Sequence, residues 1–114
     1  MKWNHLTTVG QLEEIEKQSY ETPVLIFKHS TRCSISSMAK FRLEDDWDFP
    51  ETELVPYYLD LIAFRKISAE IADRFSVHHE SPQVLLIRNG SCTYDASHLD
   101  ISVGELHESY ENTW

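Results

Sequence analysis

The chain has 114 residues, the size of one domain, so we expect a single domain over residues 1–114. Its hydrophobic content of 41%, with only 3 glycines and 4 prolines, excludes a disordered or fibrous chain. The net charge of −9, from 10 Lys and Arg against 19 Asp and Glu, disfavours binding to nucleic acid or to an anionic membrane. The two cysteines, Cys33 and Cys92, are too few for a disulfide scaffold.

The distribution of apolar residues indicates a cytoplasmic protein. The first residues contain no apolar stretch of signal-peptide length, and the apolar run at 24–27 is far too short to cross a bilayer. We therefore expect a protein of the reducing cytoplasm. In that compartment a cysteine in a reactive setting is more often catalytic than structural.

The first third of the chain predicts a helix, a strand and a second helix. Thr8 and Gln11 have the spacing of a capping box, and apolar residues follow at helical intervals to about residue 19. Residues 23–28 are a β-branched and aromatic run opened by a proline, which is typical of a buried strand. A polar turn at 30–32 then leads to Cys33, which is placed at a strand-to-helix junction.

The second predicted helix runs from Cys33 to about residue 43. Its apolar residues recur on roughly one helical face, namely Ile35, Met38, Ala39 and Phe41. The acidic segment at 44–51 that follows is expected to be an exposed loop.

The rest of the chain predicts a strand, a helix, a hairpin and a terminal helix. Residues 54–60 form a strand in which Pro56 implies an edge position or a nearby bulge. An amphipathic helix over 64–75 follows, and then two strands at 83–88 and 91–94 joined by an Asn-Gly turn. Ser102 and Glu105 have the spacing of a second capping box, which begins a short terminal helix.

This order of elements predicts an α/β fold. The strand–helix–strand unit needs a right-handed crossover and hence a parallel strand pair, while the hairpin adds antiparallel strands. The result is a mixed four-stranded sheet flanked by helices, which is a thioredoxin-like fold.

Cys33 is the candidate nucleophile. The free amides and the dipole at a helix N-terminus stabilise a thiolate, and Arg32 adds a permanent positive charge beside it. Lys28 and His29 are expected to add positive potential from the end of the preceding strand.

The third residue after Cys33 is a serine, Ser36, where a dithiol oxidoreductase carries its second cysteine. No local disulfide can form, so the sequence predicts monothiol exchange. Two roles are open to Ser36: a hydrogen bond to the Cys33 thiolate, or a bond to the backbone of the first helical turn. Cys92, one residue into the second hairpin strand, is expected to be an ordinary strand residue.

The Ser81–Pro82 bond enters a strand and is a candidate cis peptide that faces Cys33, the alternative being a trans proline that only begins the strand. In the cis geometry the backbone of Ser81 is exposed to pair with an extended substrate. His29, His78 and His79 with Cys33 lack the ligand spacing of a zinc site, so we expect no metal.

Three segments carry a resemblance to a known family: FKHSTRCSISS at 27–37, HESPQVL at 79–85 and Ala-Ser-His at 96–98. Together they resemble the monothiol bacilliredoxins, the YtxJ-like proteins of the bacillithiol system. The usual motif of that family is Thr-Cys-Pro-Ile-Ser, and here Arg32 replaces the threonine and Ser34 replaces the proline. The missing proline bears on the start of the helix and hence on the strength of the activity.

The resemblance implies removal of bacillithiol from S-bacillithiolated proteins through a mixed disulfide on Cys33. It implies no tightly bound cofactor, with bacillithiol as the co-substrate and S-thiolated proteins as the partners. Arg32, Ser34 and Ser36 would support the site, and Ser81 and Pro82 would bind substrate. The residues alone leave open glutathione or another small thiol, as in a monothiol glutaredoxin-like protein, and also a binding or scaffold module without catalysis.

Overall fold

The structure, a computed structural model, describes residues 1–112, which fold as a five-stranded sheet between two pairs of helices. In chain order the elements are β1 (Asn4–His5), α1 (Gly10–Gln18), β2 (Val24–His29), α2 (Ser34–Asp46), β3 (Val55–Asp60), α3 (Arg65–Arg74), β4 (Gln83–Arg88), β5 (Ser91–Ser97) and α4 (Val103–Asn112), with a 3₁₀ turn at His98–Asp100 before α4. No helix in these residues is long and apolar enough to cross a membrane.

The strands lie in the order β1-β3-β2-β4-β5. The first three are parallel, and β4 is antiparallel to both β2 and β5, which confirms the predicted mixed sheet. The prediction of four strands was one short. The additional strand, β1, is two exposed residues long, and such a strand has no alternating apolar pattern to reveal it. The pairing of β1 with β3 begins at Tyr57. Pro56, one residue earlier in β3, therefore lies outside the part of β3 that pairs with β1.

The sheet separates two cores because the side chains of each strand alternate between its faces. Leu25 and Phe27 of β2 pack with α2 and α4 on one face, whereas Val24 and Ile26 pack with α1 and α3 on the other. The last residues of β2 follow the same alternation, so Lys28 and His29 lie on opposite faces. This alternation sets which charges reach the candidate site.

The predicted turn is confirmed, and each predicted capping box shows one of its two hydrogen bonds. Asn89 and Gly90 have φ angles of 51° and 77°, the positive values that a two-residue hairpin turn requires. The Ser102 hydroxyl accepts the Glu105 N–H at 3.2 Å at the start of α4. Before α1, the Gln11 side chain reaches back to accept the N–H of Thr8 at 3.0 Å.

The prediction of an exposed acidic loop at 44–51 was wrong in part. The helix α2 continues to Asp46, so the first acidic residues are helical. Phe49 is only 6% exposed and packs in the core with the half-buried Trp47, whose ring lies 5.2 Å from it. The aromatic residues therefore fold the segment back against the protein, and its acidic residues alone do not reveal this.

Candidate functional site

Cys33 is the residue that precedes α2 at the strand-to-helix junction. Its backbone is extended, with φ −115° and ψ 121°, and its carbonyl accepts the first helical hydrogen bond, from Ser37 N–H at 3.1 Å. The N–H groups at 34–36 therefore have no acceptor within the helix. These amides and the helix dipole stabilise negative charge at this end. The half-buried Cys33 thiol lies at the positive end of α2.

Ser36, three residues further on, connects the start of α2 to the end of β2 through its side chain. Its side chain is fully buried, and its hydroxyl oxygen accepts the Ser30 N–H at 3.0 Å. The same hydroxyl lies 2.6 Å from Nδ1 of His29. Burial lowers the pKa of His29, and the charge of Lys40 lowers it further, which favours the neutral ring. Within residues 1–112 this hydroxyl bonds neither to the Cys33 thiol nor to the first helical turn, the two expected partners, but to Ser30 and His29, which precede the helix.

The positive charge beside Cys33 is smaller than the sequence predicted. Lys28 lies on the opposite face, where its ammonium donates to the Ser68 carbonyl at 3.2 Å and lies 3.3 Å from Nδ1 of His79. Burial lowers its pKa to about 8. The expectation that Lys28 adds charge beside Cys33 was therefore wrong, because strand alternation directs it away. Arg32, which is exposed, is the cation next to the thiol in sequence, and Ser34 is the exposed first residue of α2.

The structure brings Ser81 and Pro82 to the same end of the sheet as Cys33. Their peptide bond is cis, and the register pairs Lys28 with Gln83, so Pro82 follows on beside the end of β2. The Pro82 carbonyl accepts the His98 N–H at 3.0 Å, which ties this loop to the 3₁₀ turn. Ser81 is half-buried. Its hydroxyl oxygen is inaccessible to solvent and has no hydrogen-bond partner within residues 1–112.

Cys92 lies at the other end of the sheet. It pairs with Ile87, which in turn pairs with Val24 at the start of β2, about 17 Å along that strand from His29. Its thiol donates to the Tyr94 carbonyl at 3.3 Å, and burial raises its pKa to about 11. The position is too far for a disulfide with Cys33, and both cysteines are free.

The histidines do not gather around the thiol. His29 faces α2 on one side of the sheet. His79 lies on the other side, next to Lys28 and Ser68. His98 lies 3.5 Å from the Glu80 carboxylate, near the proline loop. Among residues 1–112 no group of His, Cys, Asp and Glu side chains is arranged to hold a metal ion.

Sequence reasoning misassigned the outer face of α2. The residues that pack against the sheet are Ser36, Ala39 and Leu43, one of them polar. The apolar residues Ile35, Met38 and Phe41 instead face solvent beside the candidate site. Helical periodicity alone does not say whether an apolar residue meets the core or a partner.

A partly exposed cysteine at the start of a helix, with a proline loop at the same end of a mixed sheet, is typical of thiol redox proteins with the thioredoxin fold. The chain belongs to the family of the monothiol bacilliredoxin BrxC, whose family model matches residues 4–106. This match confirms the resemblance to the bacilliredoxins and gives the chain a thiol redox role.

Solved structures support the same assignment. A protein described as a candidate oxidoreductase with a thioredoxin fold has a TM-score of 0.76 at 30% sequence identity, over 92% of this chain and 90% of its own. The thioredoxin of Malassezia sympodialis has a TM-score of 0.73 at 15% identity, over 96% of this chain and 89% of its own. That of Trypanosoma brucei brucei has the same TM-score and identity, over 97% and 89%. These two thioredoxins show the fold alone.

Proposed function

We propose that this protein is a monothiol thiol-disulfide oxidoreductase that removes bacillithiol from S-bacillithiolated proteins in the cytoplasm, with Cys33 as its nucleophile. One observation carries the proposal. The position of a resolving cysteine is held by Ser36, whose hydroxyl is committed to His29 and Ser30, while Cys92 lies at the far end of the sheet. A mixed disulfide formed on Cys33 therefore has no internal thiol to resolve it.

The reaction has two exchange steps. In the first, the Cys33 thiolate attacks the bacillithiol sulfur of the protein mixed disulfide, so that the bond between Cys33 and bacillithiol forms as the original disulfide breaks. The target cysteine leaves as a thiolate and takes a proton from solvent. In the second, an external small thiol attacks the adduct, forms a disulfide with bacillithiol, and releases Cys33 as thiolate. One disulfide is consumed and one is formed in each step.

The groups around Cys33 place positive charge and free N–H donors beside the sulfur that reacts in both steps. The backbone amides at 34–36 and the dipole of α2 stabilise the thiolate when it attacks and when it leaves. Arg32 adds a cation at the solvent side, and Ser34 is exposed beside the thiol. We assign Ser36 to positioning, because it fixes Ser30 relative to the start of the helix.

We assign substrate positioning to Ser81 and Pro82. The loop that they form lies at the Cys33 end of the sheet, and its proline carbonyl is already bonded to His98 N–H. The backbone of Ser81 is the part of this loop that we expect to pair with an extended segment of the thiolated protein. Such backbone pairing holds the target sulfur near the nucleophile, which raises the effective concentration of the reacting groups.

Intact mass spectrometry tests the proposal. The protein is incubated with one target protein carrying either bacillithiol or glutathione, and the adduct that it takes up is identified by mass. We expect one bacillithiol per chain on wild type and none on Cys33→Ser, with slower uptake of glutathione. Uptake of glutathione alone would mean that the co-substrate is glutathione or a similar small thiol and not bacillithiol. Absence of any adduct, with the target left modified, would favour a scaffold module without catalysis.

A further inference from the structure

A buried lysine, Lys28, lies at the Cys33 end of the sheet, on the face that α3 covers. Its side chain is fully buried, and within residues 1–112 it forms no ion pair with a carboxylate. Burial lowers its pKa to about 8, because a charge without a counter-ion is costly to remove from water. An apolar side chain of the same length would avoid this cost. The packing of the sheet against α3 therefore gives no reason for a lysine here.

The hydrogen bonds of Lys28 connect α3 to the segment that precedes the proline loop. Its ammonium donates to the Ser68 carbonyl at 3.2 Å and lies 3.3 Å from Nδ1 of His79. The Ser68 hydroxyl lies 3.3 Å from the same ring nitrogen. Burial and the charge of Lys28 lower the pKa of His79, which favours the neutral ring. Because an ammonium can only donate, Nδ1 of the neutral ring is its acceptor.

Gln83 holds the same segment from the strand that follows the loop. It pairs with Lys28 across β2 and β4, so the two side chains share a face of the sheet. Gln83 is fully buried, and its Nε2 donates to the His78 carbonyl at 3.0 Å. On the other side of the loop the Pro82 carbonyl is bonded to the 3₁₀ turn. The backbone is therefore fixed both before and after Ser81.

We propose that Lys28 is a positioning residue for the substrate, because through His79 it fixes the backbone of Ser81 where an extended segment of the thiolated protein pairs with it. This inference rests on the proposed thiol exchange at Cys33 and on the proposed substrate role of Ser81. Lys28 faces away from α2 and the thiol. It therefore acts on the binding of a peptide backbone and not on the exchange of sulfur.

Steady-state kinetics with two substrates test the proposal. One is a short S-bacillithiolated peptide, and the other is the mixed disulfide of free cysteine and bacillithiol, which has no peptide backbone to pair. Lys28→Met keeps the length of the side chain and removes the ammonium. We expect kcat/KM for the peptide to fall about fivefold, the effect of one lost hydrogen bond, through a higher KM at unchanged kcat. The value for the free cysteine disulfide should stay as in wild type.

Urea unfolding at pH 7 separates this effect from misfolding. Lys28→Met should be at least as stable as wild type, because it no longer buries a charge. Lys66→Met is the matched control, since it removes an exposed lysine from α3 and should leave both kinetic constants unchanged.

Two variants of His79 test the same hydrogen bond independently and decide the question if Lys28→Met does not fold. His79 lies at the surface, so its replacement should leave the fold intact. His79→Ala removes the acceptor and should raise KM for the peptide as Lys28→Met does. His79→Asn retains an acceptor oxygen near the position of Nδ1 and should restore most of the wild-type value.

Four results would overturn the proposal. Wild type might use both substrates with equal kcat/KM, in which case there is no backbone pairing to position. Lys28→Met and His79→Ala might both keep the wild-type kcat/KM for the peptide, or His79→Asn might be as impaired as His79→Ala. An equal loss on both substrates would place the effect of Lys28 at the thiol. Failure of the proposed function is different, because wild type would then not react even with the free cysteine disulfide.

Discussion

Ser36→Ala should destabilise the protein more than any neighbouring serine substitution. The serine is fully buried, and its hydroxyl accepts from Ser30 N–H at 3.0 Å and lies 2.6 Å from Nδ1 of His29. Alanine removes both bonds and leaves two partly or fully buried polar groups without a partner. Each such group costs about 1–3 kcal/mol, and the better helix propensity of alanine returns only about 0.5 kcal/mol. We expect a loss of about 2–4 kcal/mol in the free energy of unfolding.

Urea unfolding measures this loss from the midpoint, provided that the slope of the transition is unchanged. Ser37→Ala is the matched control, because Ser37 is exposed on the same helix and gains the same propensity. Its free energy of unfolding should lie within about 0.5 kcal/mol of wild type. If Ser36→Ala were as stable as Ser37→Ala, the hydrogen bonds of Ser36 would not hold the junction before α2, and the reasoning would be refuted.

Three further predictions concern groups outside the junction. Iodoacetamide at pH 8 should modify Cys33 and leave Cys92, whose pKa burial raises to about 11, and equal labelling would contradict this. Burial lowers the pKa of Lys28 from 10.5 to about 8, so between these pH values the unfolded chain binds more protons and stability rises with pH. In urea unfolding, the free energy of unfolding of wild type should therefore rise by on the order of 3 kcal/mol relative to that of Lys28→Met between pH 7 and pH 10.5. A difference between the two proteins that does not change with pH would contradict a buried Lys28 ammonium. Gly90→Ala should cost about 1–2 kcal/mol in thermal unfolding, because φ is +77° and the new Cβ would lie 2.7 Å from the Tyr20 hydroxyl oxygen; an unchanged melting temperature would contradict this.

Local signals in the sequence predicted most of the fold. The position of Cys33 before α2, the Asn89-Gly90 turn and the Ser102 cap each depend on a few adjacent residues whose conformational preferences agree with the structure. The strand β1 was missed because two residues paired at an edge have too little pattern to detect. Its position depends on its partner β3, more than fifty residues away in sequence.

The candidate site was harder to predict, because it depends on which face each side chain occupies. Strand alternation places Lys28 and His29 on opposite sides of the sheet, but the sequence does not say which side α2 covers. The apolar residues of α2 had the spacing of a core face, yet a buried serine, Ser36, replaces one core contact, and Met38 and Phe41 face outward. Only the folded structure shows that α2 turns Ser36 towards the polar groups of the junction and Met38 and Phe41 outward.

The most direct test of the monothiol mechanism compares the two single-cysteine variants on one S-bacillithiolated protein, with release of the target thiol followed by mass. Cys92→Ser should release the target at the wild-type rate and carry one bacillithiol on Cys33, and Cys33→Ser should release none. A wild type that loses this adduct by forming an internal Cys33–Cys92 disulfide, while Cys92→Ser retains it, would contradict the account, because Cys92 would then be the resolving thiol.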